Sequence, residues 1–136
     1  MENLEVHKRL SRLEDNLRLL EELREALSPE VLEKDLKSQW LIRYGLFECI
    51  QIVIDIACHL VSKYNLGTPS SYSECIELLR RYDYINDALE DKLIGMIGLR
   101  NRLIHEYLII EPKRLFKFLA FLDDFREFAK AIGPYF

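Results

Sequence analysis

Most of the side chains that could do chemistry lie in one short segment, residues 100–107. It reads Arg-Asn-Arg-Leu-Ile-His-Glu-Tyr and lies within a pattern that is otherwise apolar at Leu99, Leu103 and Leu108. A charged arginine beside apolar residues must reach water, a carboxylate or a phosphate, because an unpaired buried charge is heavily penalised. Since an arginine and a histidine are the minimal pair for phosphodiester chemistry, this segment is the candidate site.

Each residue type in the segment suits one task in the cleavage of RNA without a metal. The reaction takes a proton from the 2′-OH, gives a proton to the 5′ leaving oxygen and needs cations around the phosphorane. A histidine can accept or donate a proton, so His105 suits either proton transfer, whereas Arg100 offers a fixed fork of donors to phosphate oxygens. Asn101 could orient the phosphate or the histidine, Tyr107 could stack on a base, and Arg102 is a further candidate RNA contact. We expect neither a metal nor a cofactor.

The spacing of the segment raises a geometric difficulty. Arg100 and His105 are five residues apart, which on a regular helix separates them by about 140°. Asn101 shares a face with His105, and Arg100 shares one with Tyr107. Three solutions remain open: the arginine swings round, the helix ends or distorts here, or two protomers contribute across a seam. A homodimer would also supply two histidines, one as acid and one as base.

The elements that position this segment are predicted to be helices. Apolar residues recur at steps of three and four along the chain. Ser28 followed by Pro29 is a helix start, Asn65 and Gly67 suit a helix end, and Ser71 with Glu74 has capping-box spacing. We predict an all-α bundle of about five helices with short connections, covering residues 3–27, 29–64, 71–81, 86–108 and 112–132.

A polar stripe crosses the apolar second helix. Its members fall at steps of three, four, four and three: Glu48, Gln51, Asp55, His59 and Ser62. The stripe is either the solvent face of the helix or the wall of a cleft opposite the Arg100 segment. In the second interpretation Asp55 is a possible RNA contact.

Gly95 and Gly98 lie inside the predicted fourth helix, where each costs roughly 1 kcal/mol relative to alanine. Glycines three residues apart expose backbone for the close approach of another helix. Core packing and a dimer seam are both consistent with this spacing.

Composition limits the class of protein. The 136 residues suit one domain, residues 1–136, and the net charge of -4 argues against a general nucleic-acid coat protein. The chain opens into charged residues without an apolar signal core, and the uncharged apolar runs are too short to span a bilayer, so we expect a cytoplasmic protein that does not enter a membrane. Cys49, Cys58 and Cys75 have no CxxC spacing and predict buried, reduced thiols.

The pattern Arg100-Asn101-x-x-x-His105-x-Tyr107 resembles the R-x4-H-x-Y motif of HepT-like HEPN toxins, the ribonuclease half of HepT/MntA toxin–antitoxin modules. Residues 48–60, the pattern Gly67-x-Pro69-x-x-Tyr72 and residues 98–101 are also similar to the family's layout. The resemblance implies a HEPN bundle, a homodimer whose two motifs face a shared cleft, and metal-independent cleavage of RNA by Arg100 and His105 with support from Asn101. It further implies a nucleotidyltransferase (MntA-like) antitoxin that adenylylates Tyr107 to O-AMP-tyrosine.

Two other interpretations fit the same residues. In one, the chain is a non-catalytic HEPN module that binds a nucleotide or a nucleotidyltransferase partner, which suits an acidic chain with one histidine in the segment. In the other, Arg100 and Arg102 form surface ion pairs with Glu106, Glu90 or Asp91 in a purely structural dimer. The endoribonuclease interpretation is favoured because the motif and the layout agree.

Overall fold

The chain folds into a bundle of helices, and the computed structural model describes residues 1–106, 108 and 110–136. Those residues contain no strand. The helices are α1 (Asn3–Ala26), α2 (Pro29–Glu33), α3 (Leu36–Lys63), α4 (Tyr72–Arg81), α5 (Asp87–His105), α6 (Pro112–Lys117) and α7 (Leu122–Ile132), with 3₁₀ turns at Phe118–Phe121 and Gly133–Tyr135. The predicted all-α architecture is therefore confirmed. Tyr107, part of the predicted site, lies outside the described residues.

The long helix α3 is the centre of the bundle. It packs against α1, α2, α4, α5, α6 and α7, and its apolar residues from Ile42 to Val61 form the largest share of the buried core. By length and composition α3 is the one helix, among the residues described, that could cross a membrane. Its packing inside the bundle is that of the core helix of a globular fold.

The second predicted helix is in fact two helices, α2 and α3, and the prediction of one continuous helix is wrong. Asp35 caps the start of α3: it accepts hydrogen bonds from the Ser38 amide at 3.5 Å and the Ser38 hydroxyl at 2.7 Å. The Gln39 side chain donates to the Leu32 carbonyl at 2.9 Å, which satisfies the end of α2. A local cap thus overrides the apolar periodicity that runs through the break.

The helix that carries the candidate segment also ends earlier than predicted. α5 stops at His105, and Leu108, expected on its apolar face, is 85% exposed. Ile110 is buried instead, and the Arg43 guanidinium donates to its carbonyl at 3.3 Å. This contact anchors Ile110 to α3. The predicted last helix is likewise divided, into α6, a 3₁₀ turn and α7.

A disulfide joins α3 to α4, which corrects the prediction that the cysteines are all reduced thiols. Cys58 and Cys75 are bonded with their Cα atoms 5.1 Å apart. Their separation of 17 residues gave no sequence signal, because only the packing of the two helices brings them together. Cys49 is free and buried as predicted, and desolvation raises the pKa of its thiol to about 12.

The link between α3 and α4 places Tyr72 beside α5. Asn65 takes a left-handed φ of 51° at the end of α3, and the Leu66 amide donates back to the Val61 carbonyl at 2.9 Å. Gly67 follows with a φ of 154°, a conformation that L residues rarely adopt. Ser71 then caps α4 through the Glu74 amide, so that Tyr72 is the first residue of the helix.

Candidate functional site

Arg100 is held on four sides by groups that leave part of its guanidinium available. Its Nε donates to Gln51 Oε1 at 2.9 Å and its Nη1 donates to Asn101 Oδ1 at 3.1 Å. The guanidinium carbon lies 5.5 Å from the centre of the Phe47 ring and 5.3 Å from that of Tyr72. Among the described residues none forms a salt bridge with Arg100, so its charge is not neutralised and its remaining donors are open to an anion.

Gln51 is itself oriented by a carboxylate. Its Nε2 donates to Asp55 Oδ1 at 2.8 Å, and Asp55 Oδ2 lies 3.9 Å from Arg9 Nε on α1. An ionised carboxylate only accepts hydrogen bonds, so it fixes which end of the Gln51 amide faces it. The oxygen of Gln51 is therefore directed to Arg100. Asp55, predicted as a possible RNA contact, binds Gln51, which in turn binds Arg100.

The polar stripe of α3 is neither wholly a solvent face nor wholly a cleft wall. Gln51 faces Arg100, as the cleft interpretation predicts. Glu48 instead binds Arg12 and Asn16 on α1. His59 stacks on Phe136, with ring centres 5.9 Å apart, and burial lowers its pKa. Only the middle of the stripe belongs to the site.

His105 occupies the last turn of α5 and is exposed. In the part of the chain that the structure describes, no side-chain hydrogen bond or ion pair involves His105. Its neighbour Ile104 is partly exposed and lines an apolar groove of about 330 Å³ with Trp40 and Tyr44. His105 is thus exposed at the end of the helix, while Arg100 is anchored more than one turn earlier against α3 and α4.

The other two polar residues of the segment are placed differently from each other. Asn101 accepts from Arg100 and lines a cavity of about 530 Å³ next to Tyr72. Arg102 forms an ion pair with Glu106 across one helical turn, with Nε and Oε2 3.4 Å apart. The surface-pair interpretation therefore holds for Arg102 and not for Arg100.

Two contacts of Arg100 were not predicted from the sequence. Phe47 lies four residues before Gln51 on α3, one helical turn away, so both face α5. Their spacing was a usable signal once Gln51 was suspected. Tyr72 was noted only as part of the pattern that begins at Gly67, and its place beside Arg100 follows from the long-range packing of α4.

The glycines of α5 do not mediate packing within this chain. A Cβ built on Gly95 or Gly98 would meet no atom of the described residues within 4 Å. The core-packing alternative is therefore wrong. The seam alternative is compatible with these open positions.

The groups of the site suit phosphate chemistry. No group of three or more histidine, cysteine, aspartate or glutamate side chains suited to a metal occurs in the described part of the chain. The site contains the oriented guanidinium of Arg100 and the exposed imidazole of His105. The side-chain amide of Asn101, which lies between them in the sequence, contacts Arg100. These groups can bind a phosphodiester, stabilise its charge and transfer a proton.

Comparisons with known proteins identify relatives of this chain. A family model described as Ribonuclease HepT-like matches residues 13–132. A tRNA nuclease HepT of Aphanizomenon flos-aquae is 33% identical over 99 residues, 71% of this chain and 67% of that protein. An mRNA nuclease HepT of Shewanella oneidensis is 35% identical over 75 residues, so that the match spans 55% of this chain and 56% of that relative.

The fold is also that of a solved toxin. The tri-AMPylated HEPN toxin of Shewanella oneidensis, determined in complex with an MNT antitoxin, superposes with a TM-score of 0.88 at 24% identity, over 98% of this chain and 99% of that one. At this identity the likeness concerns the fold, and it confirms the predicted HEPN bundle. The match over most of its length establishes that this chain belongs to the HepT-like ribonuclease family.

Proposed function

We propose that this chain is the endoribonuclease toxin of a toxin–antitoxin module, acting in the cytoplasm on RNA without a metal. The observation that supports it is the state of Arg100, a guanidinium fixed by Gln51 and Asn101 with no counter-charge in the described residues. A cation held in this way is preorganised for a phosphate. The HepT relatives, a tRNA nuclease and an mRNA nuclease, support RNA as the substrate class.

Arg100 and His105 then divide the chemistry. His105 accepts the proton of the 2′-OH, whose oxygen attacks the adjacent phosphorus, and a protonated histidine gives a proton to the departing 5′ oxygen. Arg100 binds the non-bridging oxygens and stabilises the charge of the phosphorane. Asn101 supports Arg100 through its 3.1 Å contact and presents the rest of its amide to the cavity.

We further propose that the active form is a homodimer. The segment of one chain contains one histidine, whereas separate acid and base roles need two. The exposed groove at Ile104, Trp40 and Tyr44 begins beside His105, so a second copy seated there would bring its own histidine near the first. The open backbone at Gly98 suits a close seam.

Mixing wild-type and His105→Ala chains tests whether the reaction needs a histidine from each protomer. If it does, an equal, re-associated mixture should keep about a quarter of the wild-type activity, because only the dimers of two wild-type chains retain both histidines. If each protomer acts alone, the mixture should keep about half. Sedimentation measured on the same samples shows whether mixed dimers have formed.

The proposed regulator is a nucleotidyltransferase antitoxin that adenylylates Tyr107. The superposing toxin is AMPylated and bound to an MNT antitoxin, and Tyr107 lies two residues after His105. An AMP group there would add bulk and negative charge to the segment that carries His105 and would repel a substrate phosphate. Incubation of the purified chain with such an enzyme and ATP should add AMP to the wild type and not to Tyr107→Phe, as read by intact mass.

Cleavage of total cellular RNA in EDTA tests the central proposal. The wild type and Tyr107→Phe should cut, whereas His105→Ala and Arg100→Ala should not while keeping their helical circular dichroism. Arg18→Ala is a control, since this arginine of α1 is paired with Glu14 across one helical turn, lies outside the segment and should retain turnover. Cleavage that persists in both His105→Ala and Arg100→Ala would refute the site assignment, and a wild type that binds RNA or nucleotide without cutting would favour the binding-module interpretation.

A further inference from the structure

A cavity adjoins Arg100 that the proposed cleavage chemistry leaves unused. It has a volume of about 530 Å³, within the range of about 300–1,000 Å³ that small-molecule sites occupy. Its wall combines an aromatic ring, small polar side chains, aliphatic side chains and the disulfide. The aromatic and polar residues that line it are Ser70, Ser71, Tyr72, Ser73 and Asn101.

Tyr72 links the cavity to the arginine. Tyr72 is 44% exposed, and the centre of its ring lies 5.3 Å from the Arg100 guanidinium carbon. An exposed aromatic ring can stack on the flat face that every nucleobase has. In a nucleotide only one ribose separates the base from the phosphate, so the base next to a phosphate on Arg100 is within reach of Tyr72.

The polar groups of the wall are placed to read an edge of a base. Asn101 Oδ1 is occupied by Arg100, which leaves the Asn101 amide nitrogen as the donor available on the cavity side. The Ser70 hydroxyl and the Ser71 side chain are committed to Glu74. Ser73 is therefore the hydroxyl of the wall that these capping contacts do not use.

We propose that Tyr72 and this cavity form a nucleobase subsite, in which the base next to the scissile phosphate stacks on the Tyr72 ring with its polar edge toward Asn101 and Ser73. The proposal rests on the endoribonuclease function for the position of the phosphate and adds where the substrate base is held. Tyr72 is a binding residue in this scheme, while Arg100 and His105 remain the reacting groups. The pattern Gly67-x-Pro69-x-x-Tyr72 then has a role: its turn sets the ring beside the arginine.

The test measures binding of short single-stranded RNA to the His105→Ala protein, which should retain binding without cleavage. One abasic ribose is placed at each position of the oligonucleotide in turn. For a stacking subsite one position should lose affinity by about 5- to 150-fold when the base is removed, the range expected for one base on one aromatic ring. Tyr72→Ala should lose a similar factor on intact RNA, and at that position the abasic ribose should then cost nothing more.

Two variants separate stacking from a structural role. Tyr72→Phe keeps the ring and should bind like the parent protein, including its abasic profile. Tyr82→Ala removes a tyrosine of similar exposure, 52%, at the other end of α4, and it should change neither the RNA affinity nor the abasic profile. Loss of affinity in Tyr82→Ala as well would overturn the proposal, because both effects would then come from the helix.

The outcomes also distinguish this proposal from the endoribonuclease function. If the wild-type protein cuts RNA, but Tyr72→Ala added to His105→Ala changes neither the affinity nor the abasic profile, the subsite proposal is refuted and the endoribonuclease proposal is not. If RNA is bound with the expected Tyr72 profile but wild-type protein never cuts it, the nuclease is wrong and the subsite stands. RNA that is neither bound nor cut overturns both.

Discussion

The contact between Gln51 and Arg100 gives a direct test of how the proposed catalytic arginine is positioned. In the wild type the Arg100 Nε–H donates to Gln51 Oε1 at 2.9 Å, and Gln51 in turn donates to Asp55. The substitution Gln51→Leu removes both hydrogen bonds. A hydrogen bond to a charged group contributes about 1.5–3 kcal/mol. Because both side chains are only partly buried, we take the lower end, which predicts cleavage slowed by about tenfold. The free energy of unfolding should fall by about 1 kcal/mol, because the hydrogen bond is lost.

The assay is single-turnover cleavage of a defined RNA at saturating protein in EDTA, so that the measured rate reports on chemistry rather than binding. Glu48→Gln is the matched control. Glu48 belongs to the same polar stripe of α3, but its partners are Arg12 and Asn16 on α1. This variant should alter the unfolding midpoint and leave the single-turnover rate near that of the wild type.

A double variant completes the test. Arg100→Lys keeps the positive charge but lacks the paired donors of the guanidinium. In the Arg100→Lys background the substitution Gln51→Leu should therefore change the cleavage rate little, so the rate losses of the two single variants should not add. A Gln51→Leu rate within twofold of the wild type would refute the idea that Gln51 positions the arginine. Equal losses in Gln51→Leu and Glu48→Gln would show instead that α3 acts through packing.

Three predictions concern the scaffold. Leu119→Ala should lower the free energy of unfolding by about 2–5 kcal/mol in urea titrations, since the side chain is fully buried and would leave a cavity; an unchanged midpoint would contradict its burial. Reduction of the Cys58–Cys75 bond should cost about 3 kcal/mol, the loop-closure estimate for a separation of 17 residues, and Cys75→Ser should remove this sensitivity to reductant. The hydrogen bond from Arg126 lowers the pKa of Glu21 below its ordinary 4.5, so this stabilisation is present above pH 4.5 and is lost as the pH falls through the lower, folded-state value. Glu21→Gln should therefore show a shallower acid dependence of the urea midpoint than the wild type, and identical slopes would argue against the contact.

Local sequence signals predicted where most helices begin. Ser28 caps α2 through the Val31 amide, Ser71 caps α4, and Asn86 caps α5 through the Leu89 amide at 2.8 Å. Each contact spans three residues, so it can be read from the chain directly. The start of α3 at Asp35 carried the same kind of signal and was missed because the apolar period continues across it.

The site was predictable only in its local part. The order of Arg100, Asn101 and His105 is visible in the sequence, and their catalytic roles remain predictions. The contacts that fix Arg100 come from Gln51, which is 49 residues away, and from Tyr72 on another helix. No local pattern encodes such pairings, since they depend on how α3, α4 and α5 pack. The Cys58–Cys75 bond was missed for the same reason.

The position of Trp40 gives the protein a built-in optical probe. It is the one tryptophan of the chain and is 63% exposed, in the groove that also holds Ile104 of the candidate segment. Its indole fluorescence is therefore free of background from other tryptophans and responds to the polarity of that groove. A second protomer or an antitoxin that covers the groove would displace water from the indole and shift its emission to shorter wavelength. Assembly beside His105 can thus be followed in real time without attaching a dye.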